Sequence, residues 1–120
     1  MKYYLALRFR ERGDLHMTVH FYGRSDNQKS MAALVAKIGE TIGRLQPSRF
    51  RLRCTTKLKM GFHKTVRALG PDEELPAWVH ELAPRHWIPH ITCEENRLDL
   101  LVTHVAIMSR QREICRWELR

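Results

Sequence analysis

A chain of 120 residues with 43% hydrophobic content can fill one core but not two independent ones, so residues 1 to 120 are expected to form a single domain. Its 21 Lys and Arg against 13 Asp and Glu leave a formal charge of +8, which points to an anionic partner, with nucleic acid or nucleotide phosphate the simplest. The plainer alternative is a basic protein with no polyanion ligand. Cys54, Cys93 and Cys115 are odd in number and form no C-x-x-C, which argues against a disulfide scaffold or zinc ribbon and for a reducing compartment. No apolar run approaches the ~18 residues of a membrane span, and the first residues lack the apolar core of a signal peptide, so a cytoplasmic protein is expected.

In chain order, residues 3 to 9 place Tyr3, Leu5, Leu7 and Phe9 on one face and Arg8 and Arg10 on the other, the alternation of a half-buried strand. After a turn, residues 15 to 22 put Leu15, Met17, Val19 and Phe21 towards the core and His16, Thr18 and His20 on the opposite side. Residues 29 to 45 follow the 3.6 period through Met31, Leu34, Val35, Ile38, Ile42 and Leu45, with Ser25, Asp26 or Asn27 as cap and Pro47 as stop. Gly39 and Gly43 each weaken that helix by about 1 kcal/mol relative to alanine, so both are expected where the helix approaches the sheet.

Residues 49 to 54 alternate Phe50, Leu52 and Cys54 inward with Arg49, Arg51 and Arg53 outward, and another strand is expected at about 62 to 69 after a basic Met60-Gly61 hairpin. A shorter helix carries Leu75, Trp78, Val79 and Leu82 on its apolar face and Asp72, Glu73 and Glu74 near its positive end, with Pro84 as stop. Strands at about 87 to 94, 99 to 108 and 113 to 119 complete the order β-β-α-β-β-α-β-β-β. Each half contains a helix and a His-x-Thr strand, which predicts an α+β, two-lobed, duplicated arrangement.

Those His-x-Thr strands carry the chemistry. His16-Met17-Thr18 sits in an apolar run ending Phe21-Tyr22-Gly23, and His90-Ile91-Thr92 follows Ile88-Pro89. An imidazole and a hydroxyl two residues apart on a strand point the same way. Two such strands side by side would assemble two histidines and two threonines in one pocket, which supplies an acid, a base and two donors for a phosphodiester without a metal. A third copy, His63-Lys64-Thr65, lies among lysines beside a glycine turn and lacks the flanking pattern.

With these flanks the chain resembles the 2H phosphoesterase superfamily, the group of LigT-like proteins, 2′,3′-cyclic nucleotide phosphodiesterases and RNA 2′-5′ ligases. The two H-x-[ST]-h motifs of that family map onto His16-Met17-Thr18-Val19 and His90-Ile91-Thr92-Cys93, and the resemblance spans nearly the whole chain. It implies a two-lobed sheet fold with two helices outside, and a phosphodiesterase acting on a 2′,3′-cyclic phosphate, a 2′-5′ linkage or a cyclic oligonucleotide. At 120 residues the chain is compact for that family, which leaves the choice of ligand open.

His16 and His90 are then the catalytic pair, one neutral and one protonated near an ordinary imidazole pKa of about 6.5, with the assignment of base and acid open. Thr18 and Thr92 bind substrate, and Tyr22 is a candidate for stacking on a base, as are Tyr3, Phe62 and Trp87. Arg49, Arg51, Arg53, Lys57 and Lys59 form an odd-numbered basic stripe, of which Arg51, Arg53 and Lys59 are expected to contact an RNA backbone; a solvated outer face is the plainer reading. His20 and Glu94 are expected one step beyond the threonines on the same faces. No metal or other cofactor is expected: positions i and i+4 on a strand, such as His16 and His20, are roughly 13 Å apart, and His90 and Cys93 face opposite sides. The competing functions are a non-catalytic RNA- or nucleotide-binding module and an RNA 2′-5′ ligase-like processing protein.

Overall fold

The computed structural model describes residues 2–24, 28–61 and 64–120. The elements are β1 (Lys2–Arg8), β2 (His16–Arg24), α1 (Gln28–Leu45), β3 (Phe50–Met60), β4 (Lys64–Leu69), α2 (Ala77–Leu82), β5 (His90–Thr92), β6 (Leu98–Val102), β7 (His104–Ser109) and β8 (Arg112–Glu118). They form two four-stranded antiparallel sheets, ordered β2-β1-β7-β8 and β5-β4-β3-β6. Each His-x-Thr strand, β2 or β5, is the edge strand of its own sheet, and the two edges meet. This is the α+β, two-lobed arrangement expected from the sequence.

The strand expected at about 99 to 108 is two strands rather than one. It breaks at Thr103, whose N–H donates to the Arg8 carbonyl and whose carbonyl accepts from Leu119 N–H, both at 3.0 Å. β6 therefore closes the second sheet and β7 enters the first, so one short crossing joins the lobes.

One face of each sheet packs into a shared core that contains Leu5, Leu7, Met17 and Val105 from the first sheet and Leu52, Cys54, Ile91 and Leu100 from the second. α1 lays Ile38 and Ile42 against that core. A Cβ at Gly39 would stand 3.3 Å from Trp117 Nε1, so the helix does approach the sheet there, while Gly43 has open space and no such role. Gln46, in the left-handed region at φ 47°, ends α1 by donating its N–H to the Ile42 carbonyl, and Pro47 follows. α2 begins only after Pro76, so Asp72, Glu73 and Glu74 precede its first turn instead of sitting at its positive end. The cap residues Ser25, Asp26 and Asn27 lie outside the described residues, as do Phe62 and His63.

Candidate active site

Strand register decides which side chains leave the core. On β1 and β2, Arg8 pairs with His16, Ala6 with Thr18 and Tyr4 with Phe21, so these six share the face turned away from the core residues Leu5 and Leu7. The register then slips twice, because β2 carries an extra residue between Thr18 and His20 and another between Phe21 and Gly23. Each bulge reverses the alternation beyond it. Phe21, expected in the core, is turned out beside His16 and Thr18 and is 55% exposed. His20 and Tyr22 go to the other side of the sheet, stacked at 4.5 Å with ring planes 13° apart, over a separate hollow of about 220 Å³ against α1. On β5 the alternation is regular: Ile91 is buried in the core, and His90 and Thr92 pair with Ala68 and Val66 on the opposite face.

These faces bound one cleft of about 470 Å³. His16, Thr18, Tyr4 and Phe21 line it from the first lobe, and His90, Thr92 and Lys64 from the second. Asp14 and Gln111, from turns beside β2 and β7, complete its polar rim. The Trp87 Nε1–H donates to the Thr18 carbonyl at 3.0 Å, which ties the segment before β5 to the middle of β2.

The two imidazoles occupy different surroundings. Burial pushes the His16 pKa below its ordinary value, and the positive charges of Arg8, His90 and Lys64 push it further the same way, so its neutral form is favoured. Its ring packs against Tyr4 at 5.3 Å. His90 is held at Nδ1, which donates to the Ile88 carbonyl at 2.7 Å; a carbonyl can only accept, so the tautomer is fixed and Nε2 is left for proton transfer.

Behind His16, Arg8 clamps the turn that leads into β2, donating to the carbonyls of Leu15 at 2.9 Å and Gly13 at 3.0 Å. Its Nε donates to Glu113 at 2.9 Å, and the buried His104 meets the same carboxylate oxygen at 2.8 Å. Burial alone would raise the Glu113 pKa, but hydrogen bonds from His104, Arg116 and Arg8 hold it at about 2. Arg8 is thus consumed by structure, although its side chain belongs to the cleft face.

No family model matches the sequence, and no curated protein matches it either. Solved structures do match over nearly the whole chain. E. coli LigT complexed with ATP superposes with a TM-score of 0.62 at 16% identity, over 98% of this chain and 96% of that one. The same protein complexed with NADP+ gives 0.61 at 18% identity, over 98% and 97%. A protein described as a phosphoesterase gives 0.59 at 16% identity, over 98% of both chains. The chain has the LigT-like 2H phosphoesterase fold.

Within that 2H fold, the cleft brings together His16, Thr18, His90 and Thr92. Other candidate positions fall elsewhere. Tyr22 is moved to the far side of β2 by the bulges just described, and Tyr3 is buried in the core. Trp87 is half-buried, with its indole committed to Thr18. Glu94 lies beyond the end of β5. The basic stripe is divided by a bulge at Thr55, where register passes from Cys54 opposite Leu69 to Thr56 opposite Ala68. Lys57 and Lys59 pair with Arg67 and Thr65 and so lie on the face opposite His90, whereas Arg51 and Arg53 lie on the face turned away from Leu52 and Cys54. Both arginines are engaged there, Arg51 with Glu11 and Asp99 and Arg53 with Glu73 and Asp99, and neither lines the cleft. Arg51, Arg53 and Lys59 therefore do not form one track with the cleft.

The residues missed are Tyr4, Phe21, Lys64, Asp14 and Gln111. Tyr4 was detectable, since it alternates with the core residues Tyr3 and Leu5 on the same face as Arg8; nothing in the residue pattern marks the bulge that turns out Phe21. Among the described residues no group of three or more His, Cys, Asp or Glu is placed to hold a metal ion. Among the described residues no helix is long and apolar enough to cross a membrane. Burial pushes the Cys54 thiol up to about 12, which leaves it un-ionised at neutral pH.

Proposed function

We propose that the protein is a phosphodiesterase that hydrolyses a 2′,3′-cyclic phosphate, a 2′-5′ linkage or a cyclic oligonucleotide, with His16 as general base and His90 as general acid. The observation that carries this reading is that two histidines 74 residues apart, each on the edge strand of a different sheet, line one cleft with a threonine beside each. A role as mere strand residues would not account for that convergence.

In the hydrolytic direction, a water oxygen attacks phosphorus while neutral His16 takes its proton. The bond from phosphorus to a ribose oxygen breaks, and protonated His90 delivers a proton through Nε2 to that oxygen. Thr18 and Thr92 donate to the non-bridging oxygens as their charge grows. The lowered pKa of His16 suits the base, and the Ile88 carbonyl fixes the ring that acts as acid. The side chains fill each role, so turnover is expected to be metal-independent. Phe21, an aromatic ring left in water beside Tyr4, offers a stacking face for a base. Nucleotide binding is further supported by E. coli LigT, which has been crystallised with ATP, NADP+ and 3′-AMP at an identity of 16 to 18% to this chain.

The test is incubation with 2′,3′-cyclic mononucleotides, 2′-5′ oligoadenylate and cyclic oligonucleotides in EDTA. Product from one member names the substrate class and is the expected result. Saturable binding without product would replace the phosphodiesterase by a nucleotide-binding module.

A further inference from the structure

The third His-x-Thr copy contributes its middle residue to the cleft. Lys64 opens β4, pairs with Met60 and stands on the same face as Val66, which pairs with Thr92. It is exposed, and among the described residues it makes no ion pair. Arg8, the other cation on the cleft's inner faces, is spent on Glu113 and on two carbonyls. On the first lobe's side of the same cleft stands Asp14, bonded through both oxygens to Arg12 at 3.0 and 2.9 Å. That guanidinium also serves Glu95 at 2.6 Å, so its single charge is divided between two carboxylates and offsets Asp14 only in part.

We infer that Lys64 is the residue that receives the phosphate charge in the cleft, and that Asp14 sets a limit of one such charge, so that the site holds a singly charged phosphodiester in preference to a doubly charged phosphomonoester. This deepens the phosphodiesterase reading and takes its biological meaning from it: the hydrolysed product, carrying a second negative charge above its second pKa of about 6, is repelled by Asp14 and leaves. The binding preference itself can be measured without turnover.

The probes are the deoxydinucleotide dApdA, a diester without a 2′-hydroxyl, and 2′-deoxyadenosine 3′-monophosphate, titrated calorimetrically at pH 7.5 and low ionic strength. Lys64→Gln is expected to weaken dApdA binding about fivefold, and Lys64→Arg to hold it within about twofold, since a single exposed ion pair contributes of order 1 kcal/mol. Asp14→Asn is expected to tighten the monophosphate about threefold or more and to move dApdA by less than about twofold. Unchanged dApdA affinity in Lys64→Gln, equal shifts of both probes in Asp14→Asn, or no binding of either probe to the wild type overturns the inference. Wild-type turnover of 2′,3′-cyclic AMP, 2′-5′ oligoadenylate and a cyclic oligonucleotide is followed in parallel. Turnover with unaltered binding in the Lys64 variant defeats the inference and leaves the phosphodiesterase; the expected binding pattern with no turnover supports the inference and defeats the phosphodiesterase.

Discussion

The edge strands that carry the two motifs reach one cleft by different means. β2 runs nine residues and is bulged twice, and its histidine sits partly buried against Tyr4 and beside a clamped arginine. β5 runs three residues without a bulge, and a backbone carbonyl two positions upstream holds its histidine. The same three-letter pattern thus puts two imidazoles in unlike surroundings, one lowered in pKa by burial and neighbouring charge and the other oriented by a backbone carbonyl. If His16 is the base and His90 the acid, as proposed, this difference in surroundings is what divides the two roles.

The largest effects are expected at the two histidines themselves. His16→Ala and His90→Ala are each expected to lower kcat/KM by about 10²- to 10⁴-fold, the usual range for general acid or base catalysis, with the far-ultraviolet circular dichroism spectrum retained. Near-normal rates in either variant would reduce the motif on that strand to a structural one. Thr18→Val and Thr92→Val remove a donor without touching proton transfer, so a smaller loss of about 10- to 100-fold is expected in steady-state rates. Thr92 is exposed and Thr18 less so, and the better-desolvated Thr18 is expected to be the costlier loss.

Behind His16 stand the partly buried charges of Arg8 and Glu113. Glu113→Gln leaves Arg8 and His104 sharing an uncharged acceptor, and a destabilisation of about 1 to 3 kcal/mol is expected in urea melts. The pH dependence has a definite sign. Glu113 is depressed from about 4.5 to about 2 in the folded protein, so its contribution is fully present above about pH 4.5 and is lost as pH falls towards 2. Glu113→Gln is expected to flatten the acid side of the stability curve over that window, and an unaltered curve would show that the carboxylate is not coupled to folding.

What was legible in the sequence follows from burial. Where one face of a strand is covered, alternation reports the opposite face, and so His16 could be grouped with Thr18 and His90 with Thr92 before any coordinates, while the meeting of the two strands was implied only by the resemblance to the 2H family. A β-bulge has no such signature, since inserting one residue leaves local hydrophobicity intact while reversing every face beyond it. Phe21, His20 and Tyr22 were misplaced for this reason, and so was the arginine and lysine stripe on either side of Thr55. The break at Thr103 left a weak signal: the polar pair Thr103-His104 interrupts the apolar residues on either side, but both are buried and Val102 and Val105 flank them in the core.

The smallest expected effect is the most specific test of the unequal pair. If neutral His16 is the base, the rate rises with pH as that imidazole loses its proton, and a lowered pKa puts the midpoint of the rising limb below the ordinary 6.5. Lys64 adds to the lowering because its positive charge disfavours an imidazolium nearby. Lys64→Gln removes that charge, so His16 should hold its proton to higher pH and the midpoint should move upward by a few tenths of a unit, with the shift shrinking as salt screens the wild-type interaction. Burial, the larger cause, is untouched by the substitution, so the midpoint should remain below 6.5. A downward shift would place the limb on a group that Lys64 stabilises in its charged form, such as a carboxylate, and would take the base's role from His16.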